Sequence, residues 1–192
     1  MAFKFIYITI CFAIAAASYF ANISKKDWAL LTAGLLFTVI ADFFLVLNNN
    51  HLPGVAFFCF VHICYIFRVL NAGKCKLSFA QVTLTVVTAA IFFAYIGQAL
   101  IVLSAIYAAL FITNIVVHIW LYRQSDTLLP KLNKSIMLLG IVLFALCDIN
   151  VLLLNLPRHF DTPVIFPWAF YFIWIFYLPS QFLIAISGIK RQ

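Results

Sequence analysis

Seven apolar runs, each about as long as a bilayer is thick, limit the folds that this chain can adopt. A helix needs about 20 apolar residues to cross the hydrocarbon core, and its backbone polar groups must be hydrogen-bonded within the segment. The runs cover residues 3–22, 28–47, 54–72, 77–95, 98–121, 133–155 and 163–188. The sequence therefore predicts an all-α polytopic integral membrane protein, with residues 1–192 forming one bundle of about seven transmembrane helices.

The composition excludes a water-soluble domain. Hydrophobic residues make up 67% of the chain and charged residues 9%, whereas about a quarter of the residues in a soluble domain are charged. The net charge of +7 comes from basic residues between the apolar runs, where they set topology. We therefore expect a lipid bilayer as partner and no nucleic acid. The cysteines form no CxxC pair, so neither a disulfide framework nor a zinc site is predicted.

The basic residues are distributed unequally between the two ends of the predicted bundle. One end holds Lys4 and Arg158. The other end holds Lys25, Lys26, Arg68, Lys74, Lys76, Arg123, Lys131, Lys134, Lys190 and Arg191. Because cytoplasmic loops carry the excess of Lys and Arg, we expect the N-terminus outside and the C-terminus in the cytoplasm, in the cytoplasmic membrane of a bacterium. Arg68 is expected to extend its charge toward the cytoplasmic interface.

Ionisable residues lie inside several apolar runs, and three of them stand at a similar depth: Asp42 in span two, His62 in span three and Asp148 in span six. Unpaired charges in hydrocarbon are costly, so such residues face the bundle interior or a wet cavity. At about 1.5 Å per helical residue, Asp42 lies about 8 Å, Asp148 about 10 Å and His62 about 12 Å below the outer ends of their spans. Three helices thus bring ionisable groups to one level in the outer half of the bilayer.

Helical spacing adds neighbours to these groups. Gly34, Thr38 and Asp42 repeat every four residues and form a small, polar face that allows another helix to approach. His62 and Tyr65 lie on one face of span three. Span seven contributes Tyr171, Tyr177 and Gln181.

Two carboxyl groups in one apolar site have a characteristic chemistry. One stays protonated while the other ionises, which makes a general acid and a general base. This is the arrangement that cleaves acetals through oxocarbenium-like transition states. The sequence therefore favours an acid–base site for a lipid whose labile bond lies near the headgroup.

A faint internal similarity links spans two and six. Asp42 follows Gly34 by eight residues, and Asp148 follows Gly140 by the same interval. Both spans run in the same direction, as parallel repeats do. The match is too short to separate a repeat from coincidence.

Four motifs together resemble one family of membrane proteins. They are GLLFTVIAD, AFFCFVHICYIF, LGIVLFALCD and FYFIWIFYLPSQFLIA, in this order. Their order and spacing over residues 30–188 resemble the YhhN/lysoplasmalogenase family. The resemblance implies an enzyme that hydrolyses the vinyl ether bond of a lysoplasmalogen, a lysophospholipid. The expected products are a fatty aldehyde and glycerophosphoethanolamine or glycerophosphocholine, and no cofactor is implied.

The resemblance also assigns roles to individual residues. Asp42 and Asp148 match the aspartates of two family motifs and are the expected catalytic pair, with Asp148 as the acid. The side chains expected to orient substrate or water are His62, Tyr65, Thr38, Tyr171, Tyr177 and Gln181. Ala41 and Cys147 stand where relatives usually have Gly and Ser, and both replacements are small.

Three other functions are compatible with intramembrane Asp and His. A proton-coupled transporter or channel would need a polar path across the whole bilayer, whereas the cytoplasmic halves of spans two and six are almost entirely apolar. A non-catalytic receptor or lipid-binding protein would keep its affinity after Asp-to-Asn substitution. A metal hydrolase would hold zinc, but two Asp and one His form a thin ligand set without characteristic spacing. The oligomeric state is left open.

Overall fold

The apolar runs form six long α-helices in the computed structural model, which describes residues 2–74, 99–159 and 167–190. Six segments in these ranges are long and apolar enough to cross a membrane. The helices are α1 (Ala2–Ala17), α2 (Lys25–Asp42), α3 (His51–Ala72), α4 (Ala99–Arg123), α5 (Lys131–His159) and α6 (Ala169–Ile186). The prediction of an all-helical membrane protein is therefore confirmed for the described part of the chain.

Six of the predicted spans coincide with these helices, and the seventh is not tested. The predicted span 77–95 lies outside the described residues. Span seven was expected to begin at residue 163, but α6 begins at Ala169, and residues 160–166 are also outside the described ranges. The single domain over residues 1–192 stays a prediction.

Each helix packs against the next in the chain, and α6 packs back against α1, which closes a ring. Helices α3 and α4 run in the same direction. The rings of Phe58 and Tyr107, each in the first half of its helix, lie 6.1 Å apart. The N–H of Leu128, just after α4, donates to the carbonyl of Ala72 at the end of α3 at 2.9 Å. These helices are predicted spans three and five, and spans separated by one other span run in the same direction.

The two glycines of the internal similarity allow close helix contacts. A Cβ atom added to Gly34 would lie 2.3 Å from Cε1 of Tyr65 in α3. One added to Gly140 would lie 3.2 Å from the carbonyl oxygen of Ser180 in α6 and 2.9 Å from Cγ1 of Ile184. Small residues at such positions bring helices together in membranes, where lipid supplies no hydrophobic force between them.

Helix α2 changes its winding directly after Asp42. Residues Phe43–Leu47 form a π-helical turn, and Asn49 then adopts a φ of 49°, which Asn tolerates better than most residues. Single π turns are rare and frequently lie at functional sites. Asp42 is therefore the last residue of the regular α-helix.

The basic end of the bundle contains a buried ion pair, and the expectation that Arg68 reaches toward the interface is wrong. Arg68 is 1% exposed. Its Nε and Nη2 donate to the two carboxylate oxygens of Asp27 at 2.8 and 2.9 Å, and its Nη1 donates to Ser187 Oγ at 2.8 Å. Arg68 stays inside because a bidentate carboxylate compensates its desolvation. It connects α3 to α2 and to the segment after α6.

The chain segments at this end are tied together. Ile23 N–H donates to the Gly188 carbonyl at 3.1 Å, and Asn133 Nδ2 donates to the carbonyls of Ser187 and Ile189 at 2.8 Å each. The predicted grouping of basic residues at one end is thus consistent with the helix directions. That this end faces the cytoplasm stays a prediction.

We expect Arg68→Met to destabilise the protein by about 3–5 kcal/mol, because it leaves Asp27 buried without its cation. Lys74→Met is the matched control. It breaks the pair between Lys74 and Asp126, whose side chains are 54% and 88% exposed, and such pairs contribute at most about 1 kcal/mol. Equilibrium unfolding in detergent measures both changes. Equal, small effects would contradict the role of Arg68 as a buried anchor.

Candidate functional site

Three helices meet at the carboxylate of Asp42. Asp42 is completely buried. Its Oδ1 lies 2.9 Å from Nζ of Lys4 in α1, and its Oδ2 accepts a hydrogen bond from the hydroxyl of Tyr177 in α6. The Lys4 ammonium also lies 4.1 Å from the centroid of the Tyr177 ring, a favourable cation–π distance. A cation and a hydroxyl therefore compensate the burial of the Asp42 charge.

Asp148 has a different set of partners. Its Oδ2 accepts a hydrogen bond from the hydroxyl of Tyr107 in α4, and its side chain is only partly buried. Among the described side chains, no Lys or Arg lies within ion-pair distance of it. Phe144 precedes Asp148 by one helical turn, and its ring lies 6.2 Å from that of Tyr177, which binds Asp42. The two aspartates therefore lie around one interior site.

An aromatic cluster connects the two tyrosines that hold the aspartates. The His62 ring lies 5.0 Å from that of Tyr107, 4.7 Å from Phe111 and 5.7 Å from Phe144, measured between centroids. Phe144 in turn lies 6.2 Å from Tyr177 in an edge-to-face arrangement. Because these rings pack on both tyrosines, they restrict the positions of both hydroxyls.

His62 reaches the aspartates only through this cluster. Its Nδ1 accepts a hydrogen bond from Asn114 Nδ2 at 2.9 Å, and neither carboxylate bonds to it among the described contacts. The structure thus places the predicted histidine against the site, with the ring of Tyr107 between His62 and Asp148.

Three other predicted residues lie inside the bundle, nearer its basic end than Asp42. They are the buried side chains Thr38, Tyr65 and Gln181. The Thr38 hydroxyl donates to the Gly34 carbonyl at 3.0 Å, and the Tyr65 hydroxyl lies beside Thr38. Gln181 Nε2 donates to Ser180 Oγ at 3.4 Å. These side chains border the interior below the aspartates and bond to neither.

Tyr171 requires a correction. It is 61% exposed, and its ring lies 6.3 Å from Trp168 and 5.7 Å from Phe170. Tyr171 precedes Tyr177 by six residues, which at 3.6 residues per turn places it about 120° around α6 from Tyr177. The structure therefore does not bring Tyr171 to the aspartates.

Lys4 and Tyr107 are the two functional candidates that the sequence analysis missed. Lys4 is treated there only as a topology signal, and Tyr107 is not singled out. Both carried a usable signal, because a charge or a hydroxyl within an apolar span needs a partner. The pattern could not show which aspartate each one would meet.

Buried polar side chains continue from His62 toward the basic end. Asn114, which binds His62, also accepts a hydrogen bond at its carbonyl from His118 Nδ1 at 2.7 Å. His118 is within electrostatic reach of both His62 and Arg68, and Arg68 binds Asp27. These polar side chains lie mainly on α3 and α4, toward the basic end, where predicted spans two and six are almost entirely apolar.

The residues show no metal centre in the part of the chain that the structure describes. No group of three or more His, Cys, Asp or Glu side chains comes together there as metal ligands would. Asp42 is held by an ammonium and a phenol, and Asp148 by a phenol.

Comparison with known proteins assigns the chain to a family. The sequence pattern of the YhhN family matches residues 1–188. The chain belongs to the YhhN family. The resemblance over residues 30–188 is thereby confirmed, and the match extends to the segment that contains Lys4. No curated protein and no solved structure shows significant similarity to this YhhN chain.

We expect Lys4 and Asp42 to be energetically coupled. Lys4→Met and Asp42→Asn should each destabilise the protein, while the double variant should lose less than the sum, by about 1 kcal/mol or more, as contacting residues do. Unfolding in detergent measures the four free energies. The control pairs Lys26→Met with Asp42→Asn, because Lys26 is exposed at the opposite end. Additive effects for Lys4 and Asp42 would contradict the ion pair.

Proposed function

We propose that this member of the YhhN family hydrolyses the vinyl ether bond of a lysoplasmalogen to a fatty aldehyde and glycerophosphoethanolamine or glycerophosphocholine. The observation that carries the proposal is that two aspartates around one interior site have different partners. Asp42 has a cation and a phenol, whereas Asp148 has a phenol alone. Membership of a family known for hydrolase activity supports the same conclusion.

We assign the two catalytic roles from the partners of the aspartates. Lys4 stabilises the ionised form of Asp42, so Asp42 is the carboxylate that stabilises a developing cation. Asp148 lacks such an ion pair among the described side chains, so it is the carboxylic acid. Tyr177 and Tyr107 hold the two carboxyl groups in position, and His62 packs on Tyr107.

The reaction then proceeds in two balanced stages. Asp148 transfers its proton to the β-carbon of the vinyl ether, which leaves an oxocarbenium ion next to the ionised Asp42. Water adds to the α-carbon, which carries the ether oxygen, and gives its proton to Asp42, which forms a hemiacetal. Asp42 passes this proton to the glycerol oxygen as the carbon–oxygen bond breaks, and Asp148 takes the hemiacetal hydroxyl proton. The products are the aldehyde and the alcohol, and both aspartates regain their initial states.

The proposed substrate agrees with the position of the site. A lysophospholipid in the outer leaflet presents its ether bond near the headgroup. Asp42 lies about 8 Å from the end of the π-helical turn at Leu47, and Asp148 lies about 16 Å from the end of α5 at His159. Hydrolysis involves no net oxidation or reduction and needs no organic cofactor. The deeper buried residues Thr38, Tyr65 and Gln181 are proposed to shape the interior beside the pair.

We expect Asp42→Asn and Asp148→Asn each to lower kcat for aldehyde release about 10²- to 10⁴-fold, the range for loss of a general acid or base. Tyr107→Phe should lower it less, because the carboxyl remains while its orienting hydroxyl is lost. The assay uses purified protein and a defined lysoplasmalogen. Tyr171→Phe is the matched control and should keep wild-type turnover.

The proposal fails if folded wild-type protein releases no aldehyde, or if both Asp variants retain full turnover. Lipid binding that persists in the Asp variants without any wild-type turnover would indicate a lipid-binding protein instead.

A proton-coupled transporter is the second candidate, and the polar side chains between His62 and Asp27 favour it. Matched intramembrane His and Asp residues form proton relays in transporters. Proton flux into liposomes containing the protein would decide, with His118→Leu as the variant. A transporter predicts that His118→Leu abolishes flux, whereas the hydrolase predicts no such flux and aldehyde release that is largely retained.

A further inference from the structure

Both carboxylate oxygens of Asp42 are occupied in this structure, and this restricts what Asp42 can do. Lys4 holds Oδ1 and Tyr177 holds Oδ2. A carboxylate that accepts a proton from water needs a free oxygen facing that water. Each oxygen keeps a second lone pair, but a bound partner narrows the approach of water, so departure of one partner would open Asp42 to water.

Lys4 is the partner that can leave. Tyr177 is 1% exposed and is packed against Phe144, so its hydroxyl has little freedom. The Lys4 side chain retains 16% exposure, whereas the carboxylate that it binds has none. An anion that approaches the site therefore meets the Lys4 ammonium and not the Asp42 carboxylate.

A lysophospholipid brings such an anion to the right place. Only the glycerol unit separates its ether oxygen from its phosphate, so a vinyl ether at the aspartates places the phosphate beside the site. A lysine ammonium is a compact charge on a flexible stem that binds phosphate as a point charge. The ring of Tyr177 lies under the ammonium and offers it a contact that does not depend on Asp42.

We propose that Lys4 is the phosphate-binding residue of the site and that it moves from Asp42 Oδ1 to the substrate's phosphodiester. The movement opens Oδ1 to water while the ammonium stays on the Tyr177 ring beside Asp42, so the base is most accessible when a phosphate-bearing lipid is bound. This inference rests on the proposed hydrolase function. It predicts a glycerophospholipid as the substrate class and selection against an alkenyl glycerol that lacks the phosphate.

The test compares two substrates that differ in the phosphate-bearing headgroup: a 1-alkenyl-glycerophosphoethanolamine and the corresponding 1-alkenylglycerol. For wild-type protein, kcat/KM should be roughly tenfold or more higher with the phospholipid, as for one charge-assisted contact. Lys4→Gln should reduce this ratio to about one, with kcat affected as well as KM. Lys4→Arg should keep most of the preference, because it retains a phosphate-binding cation. Lys26→Gln, at the opposite end, should behave as wild type.

Three results would overturn the inference. The first is a folded Lys4→Gln protein that keeps the wild-type preference. The second is a wild-type protein that cleaves both substrates equally well. The third is stimulation of alkenylglycerol cleavage by inorganic phosphate that persists unchanged in Lys4→Gln, which would show that phosphate acts without Lys4.

A binding measurement separates this inference from the hydrolase proposal. Saturated 1-alkyl analogues with and without the phosphate cannot be cleaved, and their affinities are measured by titration calorimetry. Wild-type protein should prefer the phosphate analogue, and the double variant Lys4→Gln/Asp42→Asn, which carries neither charge of the pair, should not. If wild-type protein releases no aldehyde, the hydrolase proposal fails while this comparison still decides whether Lys4 binds phosphate. Equal affinities of wild type and double variant for the phosphate analogue would overturn that role.

Discussion

The burial of one carboxylate, Asp42, is the constraint on which the half of this bundle opposite the basic end depends. A buried carboxylate without a cation or hydrogen bonds costs several kcal/mol. Its partners come from the first and last described helices, Lys4 from α1 and Tyr177 from α6. The same two helices close the ring of the bundle. The two contacts that compensate the charge therefore lie where the ends of the ring meet.

Polar contacts perform this work throughout the protein because lipid removes the usual driving force for helix association. At the basic end, Arg68 and Asp27 tie α3 to α2 as Lys4 and Asp42 tie α1 to α2 at the other end. Between the ends, Gly34 allows the Tyr65 ring to contact α2 directly. Charge pairs thus set which helices meet, and glycines set how closely the helices pack.

Local features could be predicted from the sequence, and pairings between helices could not. Apolar length depends on the neighbouring residues alone, so six of the spans were predictable. The partner of Asp42 depends on the rotation of α1 and α6 about their axes, which the flanking position of Lys4 does not reveal. Arg68 was wrongly expected at the interface for the same reason. Tyr171 was wrongly grouped with Tyr177, because the polar character of a side chain does not show which face of α6 it occupies.

The difference between the two aspartates must come from local pairing and not from the bilayer. Asp42 and Asp148 each follow a glycine by eight residues in helices that run the same way, so depth exposes them to the same surrounding polarity. Each also accepts a hydrogen bond from a tyrosine. Lys4 is the element that the Asp148 side lacks among the described residues. One lysine on α1 therefore turns two similar carboxyl groups into an unequal pair, which is what acid–base chemistry requires.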